Sequence, residues 1–402
     1  MTRRLLLTAA AAAMAFTVVR AQAPAAAVFE GARVIVGDGR TIENASIVVQ
    51  GDRITQVGNA ATVKAPAGAA RVSLAGKTVM PAIVDTHVHT STTAPELVND
   101  LKQRAQFGVG AAMSLGLDGT DAPFAQRGQS TPGLARFFTA GRGITAPEKG
   151  RTEVPYWITN EAEGRRAVQE LAAKKVDIVK IWVDDRDGKF PKLTPALYTP
   201  VIDEAHQHKL RVAAHIFSLE DAKGLLRAGI DAFAHGIRDR DIDDEIVALF
   251  KARPNVVLIP NLPDRGVAAD YSWLRGRIAD GELQKLQAAS TDRPQVQQTF
   301  GIQARNLARL LAAGVRIAIG TDGNTPWAPH VEMADMVAAG MTPAQVIVAA
   351  TRNAAEFVRL PNTGTIEAGK TADFIVLDAN PLDDITNTRK IFAVYLRGAM
   401  AR

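Results

Sequence analysis

Two kinds of apolar patterning alternate along the chain. Near its start, VFEGARVIVGDG (28–39), ASIVVQGDRITQVG (45–58) and RVSLAGKTVM (71–80) are short alternating stretches broken by Gly-Asp pairs. That pattern predicts antiparallel β-structure. The stretches TADFIVLDANPL (371–382) and RKIFAVYLRGAMAR (389–402) near the other end are alike. The two ends are therefore expected to fold together into one small β-sandwich, with residues 24–80 as its first part and 360–402 as its second.

Between them the period changes. Apolar runs are read as strands at Val79–Val84, Val109–Leu115, Ala135–Ala140, Val176–Ile181, Arg211–Ala214, Ala232–Ala234, Val256–Ile259 and Arg316–Ile319. Helical stretches such as EAEGRRAVQELAAKK, PVIDEAHQHK, SLEDAKGLLRAG and DDEIVALFKAR separate most of them. Eight strands alternating with helices predict an α/β fold, a (β/α)8 TIM barrel over residues 81–359. An open doubly wound sheet is the alternative. No glycine-rich phosphate loop follows the first strand, which counts against its nucleotide-binding form.

The first 23 residues follow another plan. MTRRLLLTAAAAAMAFTVVRAQA has a basic start, an apolar run from Leu5 to Val19 and a small-residue ending at Ala21-Gln22-Ala23. This is the plan of a signal peptide for Sec or twin-arginine export, which predicts a periplasmic or secreted protein. The run is too short and alanine-rich for a good membrane span, so no stable membrane insertion is expected after cleavage. The segment holds Arg3, Arg4 and Arg20 and no acid, so its removal lowers the net charge from +5 to +2. No basic stripe remains, and nucleic-acid binding gains no support. Cysteine is absent, which excludes disulfides, thiolate metal sites and a cysteine nucleophile. No G-x-S-x-G serine elbow is present either.

Chemistry in such a barrel sits at the C-terminal ends of the strands. Four of the seven histidines fall there: His87 and His89 after PAIVDT, His215 in RVAAHIF and His235 in DAFAHG. Lys180 lies in VDIVKIWV and Asp322 in IAIGTDG. Side chains two apart on a strand share a face, so His87 and His89 could grip one ion. A second His-x-His, at His206 and His208, falls on a helix, where residues two apart diverge by about 200°; it reads as a solvated helix end. A lysine among Ile178, Val179 and Ile181 is costly unless paired. One reading is a salt bridge to Asp177 or Asp184. The other is capture of carbon dioxide as a carbamate, which makes Lys180 an anionic bidentate ligand.

In MPAIVDTHVHT, VKIWV, RVAAHI, DAFAHGI and AIGTDG, and in the run AGMTPAQVIVAATRNAAEFVRL…GTIEAGKTADFIVLDANPL beyond them, the chain resembles the amidohydrolase superfamily. The imidazolonepropionase-like and Xaa-Pro dipeptidase-like branch is the one it resembles most. The resemblance implies two divalent metal ions. His87, His89 and Asp322 would hold one, His215 and His235 the other, and carboxylated Lys180 would bridge them with a hydroxide. Zinc suits such ligands best, with manganese, iron and nickel open. The implied reaction is hydrolysis of an amide or peptide-like C–N bond by attack of that hydroxide, with Asp322 carrying the proton to the leaving nitrogen. Lactone, ester or phosphotriester hydrolysis on the same site stays open, as does a non-catalytic binding protein. Ala82 stands where the family usually has Gly, and Ala234 where this branch often has Glu. Candidates for contact with a small-molecule or short peptide-like substrate are Trp182, Arg186, Arg238, Asn261, Arg265, Trp327 and His330. The sequence leaves a homo-oligomer open.

Overall fold

The computed structural model describes residues 26–262 and 264–402, so the export signal read at residues 1–23 lies outside the described residues. The two ends of the chain meet at Thr78–Pro81. This strand runs parallel to Ala26–Ile35 and antiparallel to Phe374–Leu377, with Met80 opposite Ile375. The result is a mixed eight-stranded sheet. Phe29, Ile47, Ile54, Val79, Phe374 and Val376 are buried together on it. Phe29 meets Phe374 edge-on at 5.2 Å between ring centroids, a favourable aromatic geometry.

The rest is α/β. Ile83–Val88, Val109–Ser114 and Arg136–Thr139 pair in parallel. A second parallel ladder runs through Ile144–Thr145, Val179–Val183, Val212–Ile216, Ala232–Ala234, Val257–Ile259 and Arg316–Ile317. Every residue of Val179–Val183, Val212–Ile216 and Val257–Ile259 is buried. Apart from Lys180 and His215 these strands are apolar, as a sheet covered on both faces requires. The helices that follow start at polar caps. Asn160 accepts from the Glu163 N–H before Glu161–Ala173, Ser218 from Asp221 before Leu219–Ala228, and Asp243 from Ile246 before Asp244–Ala252.

One expected strand is two. Val79–Val84 is divided at Ala82: Thr78–Pro81 belongs to the mixed sheet and Ile83–Val88 to the parallel ladder. The Ala82 N–H bonds the Asp373 carbonyl at 3.0 Å, where the chain passes from one sheet to the other. The run is apolar throughout, so its periodicity carries no mark of the transfer. As a consequence His87 lies within its strand and His89 one residue past it.

Candidate metal centre

Six polar side chains come from five of the parallel strands or from the residues that follow them. His87 is on Ile83–Val88, Lys180 on Val179–Val183 and His215 on Val212–Ile216. His235 directly follows Ala232–Ala234, and Asp322 lies in the turn after Arg316–Ile317. The Asp322 carboxylate is the meeting point. Its Oδ1 is 3.0 Å from His87 Nε2 and 2.9 Å from His89 Nε2, and its Oδ2 is 3.3 Å from His235 Nε2. The His215 and His235 rings are 4.4 Å apart between centroids. His235 (φ 98°), Asn261 (42°) and Asp322 (52°) have positive φ, as does Arg186 (54°). Such backbone is uncommon outside glycine and persists where surroundings enforce it.

The electrostatics of this group suit a cation. His87 is fully buried; burial first, then the neighbouring Lys180 charge, lowers it to about 4, so its ring is neutral near pH 7. Its Nδ1 lies 2.9 Å from Asn261 Oδ1, an oxygen that can only accept, so Nδ1 carries the hydrogen. The Nε2 lone pair then faces the Asp322 oxygen. Two acceptors at 3.0 Å repel unless a cation lies between them. His235 is buried, burial pushes its pKa down, and neither ring nitrogen has a hydrogen-bond partner among the described residues. His87, His235 and Asp322 present ligand atoms all within 4.8 Å of one another. The donor set fits a divalent ion. Burial alone would push Asp322 up, but the imidazoles around it hold its carboxyl well below the usual carboxylate range.

Lys180 is fully buried, and burial pushes its ammonium down to about 7. Its Nζ is 3.4 Å from His87 Nε2. The expected salt-bridge partners are engaged elsewhere. Asp177 is forked by Arg127 at 2.8 and 2.9 Å, and Asp184 pairs with Arg186 at 2.6 Å and His215 at 2.9 Å. A buried primary amine whose neutral form is accessible near pH 7, and which has no carboxylate within ion-pair distance, is suited to forming a carbamate.

Beside the cluster lies a cavity of about 300 Å³ lined by His89, His215, Asp322, Trp182, Arg186 and Glu148. Trp182 is its wall, wedged so closely on Gly116 and Gly143 that neither position has room for a Cβ. Arg238 reaches within 3.5 Å of His215 Nε2 and donates to the Ile216 carbonyl at 2.9 Å. A second cavity of about 220 Å³, near Tyr271, Trp273 and Asp335, contains no histidine and meets the turn of Asp322 only at Thr321.

Several expected contacts are not at the cavity. His330 is fully buried; its Nε2 donates to the Phe107 carbonyl at 2.9 Å and its Nδ1 lies 3.1 Å from Thr388 Oγ1. It ties its own helix, Ala328–Ala338, to the end of Ala94–Gln106 and to the 3-10 helix Ile385–Arg389. Asn261 is turned onto His87. Arg265 pairs with Asp335 at 2.8 Å in the second cavity, and Trp327 packs on Phe107. The other His-x-His is a helix end: His206 pairs with Asp231 and His208 with Glu204, both rings about 40% exposed. Glu148 and Arg151 were not foreseen, since they lie in an irregular loop with no periodic signal. Asp85 and Arg104 were also missed, although Asp85 sits inside the opening His motif.

Parallel strands alternating with helices bring imidazoles, a buried lysine and a carboxylate together as a candidate metal centre in an α/β fold. The chain belongs to the amidohydrolase family, whose sequence pattern matches residues 78–399. It is 27% identical over 391 residues to an imidazolonepropionase of Deinococcus radiodurans, covering 90% of this chain and 94% of that one. It is 24% identical to an ochratoxinase of Aspergillus niger, covering 87% and 81%. Among solved structures, a provisionally named prolidase from Bifidobacterium longum superposes with a TM-score of 0.78 at 27% identity, covering 94% of this chain and 95% of that one. A Xaa-Pro dipeptidase with bound methionine gives 0.74 at 21%, covering 94% and 99%. The chain is thus an enzyme, a hydrolase of the amidohydrolase family.

Proposed function

We propose that this enzyme is a binuclear metal hydrolase that cleaves an amide or peptide-like C–N bond. The observation that carries the reading is the convergence of His87 Nε2 and His89 Nε2 on one oxygen of Asp322, at 3.0 and 2.9 Å. His87, His89 and Asp322 would hold one ion, and His215 and His235 the other. Lys180, as a carbamate formed with carbon dioxide, would lie between the two. Bound zinc ions would lower the pKa of water and polarise the substrate carbonyl.

The chain's own groups supply the rest. Asp322 is ionised and reaches the cavity, so it takes the proton of the attacking water and delivers it to the leaving nitrogen. Trp182 and the buried strand ends restrict water. Arg186 Nη2 and Arg238 Nε have no hydrogen-bond partner among the described residues. Together with Arg151 they favour a substrate carrying a carboxylate near the scissile amide, which a guanidinium binds as a fork. The prolidase and Xaa-Pro dipeptidase relatives support a dipeptide-like substrate.

The parallel strands over 81–359 are read as a closed (β/α)8 barrel. Hydrogen bonds from Asp177 N–H to the Thr139 carbonyl (3.0 Å) and from Thr86 N–H to the Ile319 carbonyl (3.1 Å) support closure at both gaps in the ladder. Residues 24–80 and 360–402 are read as one β-sandwich domain. Export to the periplasm or beyond rests on the pattern of residues 1–23. No helix among the described residues is long and apolar enough to cross a membrane.

The test is turnover of a panel of dipeptides, N-acyl amino acids, lactones and phosphotriesters by zinc-loaded wild type and Asp322→Asn. Amide or dipeptide hydrolysis that falls at least ~100-fold in the variant is expected, the usual scale of general acid–base catalysis. Unchanged turnover in Asp322→Asn removes the proposed proton carrier. Turnover of lactones or phosphotriesters alone moves the reaction to those bonds.

A further inference from the structure

The turn that bears Asp322 is held from both sides by a buried ion pair with no part in the ligand set. Arg104 projects inward from the helix Ala94–Gln106, and its side chain is wholly buried. Its Nη2 donates to the Gly323 carbonyl at 2.8 Å, and its Nη1 to Asp85 Oδ2 at 3.3 Å. The same Asp85 oxygen accepts from the Thr321 hydroxyl at 2.7 Å. Thr321 and Gly323 are the residues on either side of Asp322, and Asp85 lies two positions before His87 on its strand.

Backbone bonds complete the frame. Thr321 N–H and Asp322 N–H both donate to the His87 carbonyl, at 3.0 and 2.8 Å, and His89 N–H donates to the Gly323 carbonyl at 3.2 Å. We propose that Arg104, Asp85 and Thr321 form a clamp that positions the Asp322 carboxylate against His87 and His89, an inference that rests on the metal-hydrolase reading above.

Three observations favour positioning over simple stabilisation. A buried ion pair stabilises a fold poorly compared with apolar residues of the same volume, but it supplies directed bonds. Arg104 Nε has no partner among the described residues, so the guanidinium is not fully satisfied where it lies. And Asp322 holds φ 52°, a conformation that its neighbours must enforce. Arg104 touches no reacting atom, so it acts through the turn. A shift of about 1 Å in that turn would separate Asp322 from both imidazoles, enough to cost on the order of a hundredfold in rate.

Thr321→Val tests the clamp without stranding a buried charge, because it removes one hydroxyl and keeps the shape. Thr321→Ser restores the hydroxyl. Zinc alone is the binding probe, measured by chelator competition, with amide hydrogen exchange at Asp322 and Gly323 and the visible spectrum of the cobalt-loaded protein as further readouts. The expected result is a folded Thr321→Val with faster exchange at these two amides, shifted cobalt bands and zinc affinity weakened about tenfold, all recovered in Thr321→Ser. Arg104→Lys, which keeps the charge but cannot span Asp85 and Gly323 as a fork, is expected to behave like Thr321→Val. Wild-type exchange at Asp322 and Gly323 in a folded Thr321→Val overturns the clamp, whatever zinc does. Faster exchange with unchanged zinc affinity and cobalt spectrum reduces the clamp to a structural strut and also overturns it. Wild type that binds no zinc at all overturns the metal-hydrolase reading itself, and the exchange comparison still reads the clamp separately.

Discussion

The ring of His87 donates from Nδ1 to the side-chain oxygen of Asn261 at 2.9 Å, and this bond decides which nitrogen His87 offers to the centre. With the hydrogen on Nδ1, the lone pair is on Nε2, the atom 3.0 Å from Asp322. Gly320 makes room for the arrangement. A Cβ there would come within 2.8 Å of His87 Cβ and 2.9 Å of Asn261 Nδ2.

Replacing Asn261 with Leu should therefore weaken zinc binding without unfolding the protein. Groups that orient a ligating histidine typically account for 10- to 100-fold in metal affinity or activity, and a loss of roughly that size is expected. Chelator competition on the folded variant measures it. Zinc affinity equal to wild type would show that Asn261 does not govern the tautomer.

A pH effect on stability is expected from His330, which lies away from the centre. Burial lowers its pKa from an ordinary 6.5 to about 4, the Phe107 carbonyl opposes that, and the charges of Arg389 and Arg277 add to it. The folded pKa is below the unfolded one, so the contribution is complete above about pH 6.5. It declines as pH falls from 6.5 through 4, because the unfolded chain then binds the proton more readily. The full effect is on the order of 3 kcal/mol. Thermal unfolding from pH 7.5 to 4 should show a steeper fall in Tm for wild type than for His330→Gln. Parallel curves for the two would remove His330 as the source.

The convergence of His87, His89, His235 and Asp322 was legible because each lies at the end of an apolar strand, and strand ends of a parallel fold share one face. Lys180 was legible for a related reason: a lysine amid Ile178, Val179 and Ile181 is costly in water-free surroundings unless it is paired or modified. Other features left no local trace. The break at Ala82 lies within an unbroken apolar run. Arg104 and Asp85 are 19 residues apart, and nothing in a helix arginine announces that it points inward. His330 begins a helix whose inward face cannot be told from its outward one, since apolar residues surround it on both. Asn261 was seen as a polar residue after a strand, but its direction, toward His87 and not toward the cavity, is set by a left-handed backbone that a single sequence does not reveal.

The central claim is a two-ion centre bridged through Lys180, and metal content per chain addresses it most directly. Wild type and Lys180→Ala, purified in bicarbonate buffer with zinc, would be compared by elemental analysis alongside circular dichroism. About two zinc ions in wild type and fewer in a folded Lys180→Ala is the expected result. One ion in both proteins would contradict the bridged centre, and none in either would contradict the metal centre altogether.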